Sequence, residues 1–205
     1  MLKKLAVLLC VFLAINIKAQ NFGGGIVLGL STSQIAGDNL GGFNKAGLLI
    51  GIFANKDISD YLSLQMEMTY TQKGSNNPKM NDYSHPNYER PDISLSYIEV
   101  PLLIQYHQSN KLKIECGVLT GSLIDGYYND ISGKMSNETN PFINYDIGLL
   151  LGMDYKYSEN ISLNTRLSNS ILPIGAEDYE GQTGYNSYRK GKYNTVVSFA
   201  LHYNF

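Results

Sequence analysis

The last fourteen residues, Lys192 to Phe205, constrain the fold of this chain most strongly. From Tyr193 onward every second residue is apolar or aromatic, with one threonine among them, while the alternate positions are mostly polar. A period of two is the pattern of a β-strand with one apolar face. A tilted strand needs only about 9 to 11 residues to cross a bilayer. We therefore interpret this stretch as the closing strand of a membrane β-barrel.

The first nineteen residues have the pattern of an export signal. They contain Lys3 and Lys4, an unbroken apolar run from Leu5 to Ile15 and a short polar end. Such a segment is too short to be a spanning helix. We predict a signal peptide at residues 1–19 and one barrel domain at residues 20–205. Removal of the signal peptide takes away three lysines and no acids, so the net charge falls from −2 to −5. An acidic exported chain binds nucleic acid poorly, so we expect no such partner.

Composition also limits the chemistry of the exported chain. Cys116 is the one cysteine left after the leader, which excludes an intrachain disulfide and offers no set of metal ligands. We expect no cofactor and no bound metal. After the leader, no apolar run reaches the roughly 18 residues of a membrane-spanning helix. A closed barrel is the other structure that satisfies every backbone group within a bilayer.

Eight alternating segments follow the leader, and the connections between them alternate in length. An even strand count with short turns on one rim and long loops on the other is typical of bacterial outer-membrane barrels. We predict an all-β, antiparallel, up-and-down transmembrane barrel with short periplasmic turns and long extracellular loops. The predicted strands are Phe22 to Ser33, Lys45 to Asn55, Tyr61 to Lys73, Ile93 to His107, Lys111 to Tyr127, Phe142 to Tyr157, Ile161 to Leu172 and Tyr193 to Phe205.

Alternation alone does not say which face points inward, because a soluble lipocalin-type barrel has the same period with its apolar face inside. Three features favour lipid on the outside. The apolar phase is nearly free of charge, and the glycines lie on the polar phase, where a crowded lumen has no room for side chains. Aromatics on the apolar phase also collect at the strand ends, as membrane girdles do. The predicted girdle residues are Tyr70, Tyr145 and Tyr193 toward the long loops, and Tyr106, Tyr157, Tyr203 and Phe205 toward the short turns.

Three parts of the chain resemble a known family. They are the leader ending Lys18-Ala19-Gln20, the glycine-rich stretch Asn21 to Leu30, and the segment Ser96 to Tyr106 with the sequence SYIEVPLLIQY. Together they are similar to the small outer-membrane β-barrel proteins of Bacteroidetes, the PorT-like family. The terminal Tyr203-Asn204-Phe205 is similar to the signal that hands such barrels to the insertion machinery. The resemblance implies an eight-stranded barrel of the OmpA/OmpX type, and PorT itself is associated with type IX secretion. It carries over no functional residue.

Ionisable residues recur near the middle of the inward phase. Paired carboxylates in a lumen can act as general acid and base or hold a metal. An eight-stranded lumen, however, is only wide enough to be filled by side chains. We therefore predict a network of salt bridges formed by Glu67, Glu99, Lys113, Glu115 and Arg166. Pro101 lies within this region and predicts a bulge or a local opening of its strand, since proline cannot donate to the ladder.

The long loops are rich in asparagine, serine, glycine and tyrosine. This composition suits binding of an extracellular protein or glycan, and it suits ordinary solvated loops equally well. The candidate contact residues are Tyr83, Tyr88, Tyr179, Tyr185 and Tyr188. We expect a non-enzymatic barrel in outer-membrane lipid, with a filled lumen and either a binding or an envelope role. The alternatives are an accessory role in type IX-like secretion and a narrow channel for small solutes.

Overall fold

The computed structural model of the protein describes residues 22–38, 40–80, 82–130, 133–134, 142–175 and 192–205. The predicted signal peptide, residues 1–19, lies outside the described residues. The strands of the described part are β1 (Gly23–Ala36), β2 (Lys45–Ser59), β3 (Leu62–Ser75), β4 (Asp92–His107), β5 (Leu112–Asp130), β6 (Gly133–Lys134), β7 (Tyr145–Lys156), β8 (Ile161–Ser170) and β9 (Tyr193–Asn204).

Eight long strands close into one antiparallel barrel. Consecutive long strands pair with each other, and β1 pairs with β9 from Gly25↔Asn204 to Ala36↔Tyr193, which closes the sheet. The ninth strand, β6, is a two-residue ladder on the end of β5 and takes no part in closure. The predicted fold class is therefore confirmed, and the alternating segments correspond one to one with the long strands. No described residue belongs to a helix that is long and apolar enough to cross a membrane.

The connections differ in length at the two ends of the barrel. Short turns join β2 to β3, β4 to β5 and β7 to β8, whereas long connections follow β1, β3, β5 and β8. By the rule for outer-membrane barrels, the short turns lie in the periplasm and the long loops outside. The barrel therefore has a periplasmic end at the short turns and an extracellular end at the long loops.

Burial alternates along each strand in the phase that the sequence predicts. On β7, Leu149 is 53% exposed whereas Leu150, one residue further on, is 5% exposed. On β3, Glu67 is buried and Met68 is exposed. Because the closed sheet separates lumen from exterior, one parity of each strand fills the interior and the other forms an uncovered apolar band. That band is the lipid-facing surface of the barrel.

The predicted girdle residues all lie on the outward parity of their strands or just beyond them. Tyr106, Tyr145, Tyr157, Tyr203 and Phe205 are exposed, and Tyr70 and Tyr193 are half-buried. The Tyr70 hydroxyl donates a hydrogen bond to the Ser96 Oγ at 3.2 Å. Tyr203 and Phe205 pack edge to face at the periplasmic end, with ring centroids 6.1 Å apart.

Pro101 marks an opening of the ladder rather than a bulge. The β3–β4 pairing is interrupted between Met66↔Leu102 and Thr69↔Glu99, and the register is the same on both sides of the gap. The missing N–H of proline accounts for this opening. The register shifts of the described sheet lie elsewhere, between Asp57 and Ser59 in the β2–β3 pairing and between Ser96 and Tyr97 in the β4–β5 pairing.

Candidate functional site

The lumen contains a buried ionic layer centred on Arg166 of β8. The Arg166 guanidinium donates two hydrogen bonds of 2.6 Å to the Glu67 carboxylate and one of 2.5 Å, from Nε, to Glu115 Oε1. Gln65 and Gln105 donate further hydrogen bonds to these two carboxylates, at 2.6 and 3.0 Å. One cation therefore lies between two buried carboxylates that accept further hydrogen bonds from neutral side chains. We call Glu67, Glu115 and Arg166 the lower ionic layer.

Gly152 on β7 makes room for this layer. It pairs with Arg166 in the β7–β8 register and with Glu115 in the β5–β7 register. A Cβ at this position would lie 2.7 Å from Arg166 Cγ and 2.8 Å from Glu115 Oε1. A larger residue would therefore displace the Arg166 side chain. This contact explains why a glycine occupies position 152 on the lumen face of β7.

A second ionic layer lies nearer the extracellular end, and we call Lys73, Glu99 and Asp146 the upper ionic layer. The Lys73 ammonium forms ion pairs with Glu99 and, at 3.1 Å, with Asp146 Oδ2. Asn194 and Ser170 donate to Asp146 at 2.9 and 2.7 Å. All three charged side chains are buried, so each charge has its partner within the lumen.

The structure brings together only part of the predicted network. Glu67, Glu115 and Arg166 meet as expected, whereas Glu99 pairs with Lys73 in the upper layer. Lys113 is not part of either layer: it is half-buried at the periplasmic mouth, opposite His107 and Asp154, with no ion pair in the described part of the chain. The reason is its position two residues closer to the strand end than Glu115, where its long side chain reaches the mouth.

Sequence reasoning missed Lys73 and Asp146. Both lie on the inward parity of their strands, Lys73 with Glu67 on β3 and Asp146 with Gly148 on β7. That parity was the signal available in the sequence. Lys73 ends the predicted strand, and β3 in fact continues to Ser75, so a residue that the prediction places at the rim is inside the barrel.

Buried apolar clusters fill the rest of the described lumen beside the ionic layers. Leu103, Leu119 and Leu150 form one buried cluster, and Val27, Leu49, Phe53 and Ala200 form another. A larger buried cluster, which we call the apolar cap, is formed by Ile35, Ile93, Leu95, Tyr97, Tyr128, Phe142 and Ile174. Tyr97 connects the cap to the upper ionic layer, because the Lys73 ammonium lies 5.1 Å from the centre of its ring.

The periplasmic mouth is an open recess of about 520 Å³ with a polar lining. His202 Nδ1 lies 3.1 Å from Asp154 Oδ2 within it. His107 Nε2 lies 3.0 Å from the Ser63 Oγ and 3.9 Å from Asp57 Oδ1. A catalytic triad needs the two partners on different ring nitrogens, and here they share one. No group of three or more potential ligands from His, Cys, Asp and Glu is placed to hold a metal ion in the described ranges.

The described residues of the extracellular loop between β3 and β4, 76–80 and 82–91, form successive turns. Asn77 is buried, and its amide donates hydrogen bonds to the carbonyls of Asn87 and Arg90 at 2.8 and 2.7 Å. Tyr83 is 81% exposed and Tyr88 is half-buried, with ring centroids 5.4 Å apart. The hydrogen bond from the Ser84 hydroxyl lowers the pKa of the Asp82 carboxyl.

Two of the five predicted loop tyrosines, Tyr83 and Tyr88, are thus neighbours in this loop. The other three, Tyr179, Tyr185 and Tyr188, lie outside the described residues. The hydroxyl of Tyr88 donates to Glu89 Oε1, so its polar end is already engaged. Tyr83 is the more accessible of the pair.

Comparison with known structures agrees with this architecture. Ail, the attachment invasion locus protein of Yersinia pestis, superposes with a TM-score of 0.54 at 11% identity over 89% of this chain and 98% of that one. Neisserial surface protein A superposes with a TM-score of 0.52 at 16% identity, over 90% and 97% of the two chains. A major outer membrane protein from Thermus thermophilus superposes with a TM-score of 0.50 at 15% identity, over 89% of this chain and 99% of that one. At these identities the likeness shows a shared fold.

A search of curated proteins finds no match to this sequence. The family model described as "Outer membrane protein beta-barrel domain" matches residues 16–174, which is most of the chain. Together with the closed eight-stranded barrel and its uncovered apolar band, this match identifies both family and location. The chain belongs to the outer membrane protein beta-barrel domain family and is a protein of the bacterial outer membrane.

Proposed function

We propose that this protein is a non-enzymatic outer-membrane barrel that conducts no solutes and acts through the loops at its extracellular end, where an extracellular protein or glycan binds. The observation that carries the proposal is the apolar cap. Its seven side chains are almost fully buried across the extracellular end of the described lumen. Ions crossing such a layer would lose their hydration without gaining polar partners.

The ionic layers beneath the cap support the same conclusion. Arg166 and Lys73 each pair with two buried carboxylates, so their charges hold the strands together instead of lining an open path. The space between the two layers amounts to about 30 Å³. This is far smaller than the several hundred Å³ of a typical small-molecule site.

The polar groups at the periplasmic mouth do not support catalysis. Ser63 is fully buried, and it shares the Nε2 atom of His107 with Asp57. A nucleophile must be accessible to its substrate, and its base must be oriented by a different atom. The mouth is therefore better explained as the solvated end of a barrel.

The extracellular loop at residues 76–91 supports a binding role. Buried Asn77 joins the start of the loop to its end through two hydrogen bonds, and the Tyr83 side chain between them is exposed. An exposed tyrosine on an ordered loop offers contact area at a low entropic cost. Membership of the PorT-like Bacteroidetes group and an accessory role in type IX-like secretion remain predictions based on sequence resemblance.

Conductance in planar bilayers tests the closed lumen. Purified barrel, refolded in detergent and added to the bilayer, is expected to give no stepwise currents, with a general porin as the positive control. Steady steps of uniform size, changed in amplitude by Arg166→Met, would contradict the proposal in favour of a channel.

Binding to glycan arrays, and to extracellular proteins immobilised one at a time, tests the loop assignment. Any binding is expected to fall in Tyr83→Ala and to be unchanged in Tyr157→Ala. Tyr157 is the matched control, because it is 72% exposed at the opposite end of the barrel. Equal losses in both variants, or loss in neither, would show that the loop at residues 76–91 does not carry the binding.

A further inference from the structure

A small cavity separates the lower and upper ionic layers. It measures about 30 Å³, and charged side chains from both layers line it, namely Glu67, Arg166, Lys73 and Glu99. Leucine, valine and proline side chains and the hydroxyl-bearing side chains of two serines and two threonines complete the wall. The cavity lies beside the opening in the β3–β4 ladder, because Pro101 is one of its lining residues.

Two buried hydroxyls of the cavity wall lack partners. Thr69 and Thr71 line it from β3, and their Oγ1 atoms have no hydrogen-bond partner among the described residues. Both side chains are almost completely shielded from bulk solvent. Buried hydroxyls without partners are costly, and natural structures satisfy nearly all of them.

We propose that this cavity binds one or two structural water molecules that join the two ionic layers into a single hydrogen-bonded network. The size fits, since a cavity needs roughly 10–15 Å³ to hold one water. Residues two apart on one face of a strand are about 6.6 Å apart. One or two waters are therefore enough to reach both threonine hydroxyls and a carboxylate of either layer.

Other occupants fit the cavity less well. A cation would meet the Lys73 ammonium and the Arg166 guanidinium, and an anion would meet the Glu67 and Glu99 carboxylates. The charges around the cavity are thus mixed, which favours a neutral molecule that both donates and accepts hydrogen bonds. The volume admits nothing larger than water, and polar cavities of this kind are hydrated whereas apolar ones stay dry.

Bound water would also explain how the barrel tolerates Pro101 within a spanning strand. Pro101 has no N–H to donate across the gap in the β3–β4 ladder, so the backbone acceptor opposite it on β3 lacks its usual cross-strand donor. A bilayer offers such groups no alternative donor or acceptor. A water in the adjacent cavity is the nearest source of one.

Replacing the threonine hydroxyls with methyl groups tests the proposal, because a wet and a dry cavity predict changes of opposite sign. If water is bound, the Thr69→Val/Thr71→Val double variant deprives it of partners, and the unfolding equilibrium constant in lipid rises by about two- to tenfold per hydroxyl. If the cavity is dry, the same change removes two unsatisfied hydroxyls and the protein becomes more stable. Thr120→Val is the matched control. Thr120 faces lipid, so this substitution should not destabilise the protein.

A measurement on the unaltered protein makes the test independent of how well the variants fold. A high-resolution crystal structure, or magnetisation transfer from water to the methyl groups of Thr69 and Thr71 in micelles, should reveal an ordered water in the cavity. A double variant as stable as the wild type or more stable would overturn the proposal. So would a cavity without water density in the crystal, or one occupied by an ion.

Discussion

Arg166 compensates two carboxylates in the interior of the barrel, and its removal is the sharpest test of the lower ionic layer. Arg166→Met would leave Glu67 and Glu115 without a counter-charge, so we expect a loss of about 3–5 kcal/mol in the free energy of unfolding in lipid, as for other broken buried pairs. Adding Glu67→Gln should recover part of the loss, because the two residues share a bidentate pair. Lys113→Met is the control and should change stability little. An Arg166→Met variant with the same free energy of unfolding as the wild type would contradict the assignment of the lower ionic layer.

Asp38, just beyond β1 at the extracellular end, gives a pH-dependent prediction. Burial raises the pKa of its carboxyl above the ordinary value of 3.8, although Ser75, Leu40 and Lys192 act in the opposite direction. A raised pKa in the folded state means that the ionised form costs stability. The full cost is present when the pH is above the pKa of Asp38 in the folded state. It decreases as the pH falls from that pKa toward 3.8, the ordinary pKa of an aspartate.

Asp38→Asn should therefore stabilise the barrel at neutral pH, with a gain that shrinks on acidification through that pH range. The Asn side chain can still accept the hydrogen bond that Leu40 N donates to Oδ1 at 2.7 Å. Urea unfolding in lipid at a series of pH values measures the effect. Asp82→Asn is the comparison, because the pKa of Asp82 is lowered and no such gain is expected. A gain in stability for Asp38→Asn that grew on acidification would contradict a raised pKa for Asp38.

At the residue scale the sequence predicts which face a side chain occupies better than which partner it meets. The parity of Glu67, Glu115 and Arg166 follows directly from alternation. Their meeting depends on the stagger of strands that are distant in sequence, Glu67 and Arg166 being 99 residues apart. Glu99 and Lys113 also lie on the inward parity of their strands. Because of the strand stagger, Glu99 pairs with Lys73 and Lys113 lies at the periplasmic mouth.

At the scale of a strand, β7 tests the assignment of lipid and lumen faces. Leu149 faces lipid and Leu150 packs inside against Leu103 and Leu119. Leu149→Arg should cost about 2–4 kcal/mol if it lies near the bilayer midplane. Leu150→Arg would instead crowd an apolar layer of the lumen with an unpaired charge, so its cost should be independent of bilayer thickness.

Folding into vesicles of two lipid chain lengths distinguishes these two changes. The loss for Leu149→Arg should be smaller in the thinner bilayer, because the guanidinium reaches the interface more easily. Leu149→Phe is the control and should be tolerated in both. Identical behaviour of the two arginine variants would show that the faces of β7 are assigned incorrectly.

Strand positions were predictable from alternation, and strand ends were less so. β1 continues to Ala36, three residues beyond the predicted end at Ser33, because β9 pairs with it as far as Tyr193. β8 ends at Ser170, two residues short of the prediction. Pairing with a partner strand, which a single segment of sequence does not report, decides these limits. The bulge at Ser96 and Tyr97 arises in the same way, from the pairing of β4 with β5.

For the whole molecule, closure is the property that stabilises every strand, and the junction of β9 with β1 and β8 tests it. Phe199 faces lipid and pairs with Leu30 of β1 and Thr165 of β8. A proline here removes one backbone donor and its ring crowds the ladder, in a sheet that has no edge to accept it. At Pro101 the β3–β4 ladder is interrupted, whereas the two ladders of β9 are continuous through Phe199.

The wild-type protein should fold only in detergent or lipid and should migrate faster on unheated than on heated gels, since a closed barrel resists unfolding by detergent. Phe199→Pro should lose the fast band, and Phe199→Leu, which keeps both the donor and the lipid contact, should retain it. The residue at 199 belongs to neither ionic layer nor the apolar cap, so the loss would report closure alone. A fast band in Phe199→Pro would mean that the barrel closes without continuous pairing at β9. Wild-type folding in plain buffer as a soluble monomer would contradict the lipid-facing assignment of the apolar band.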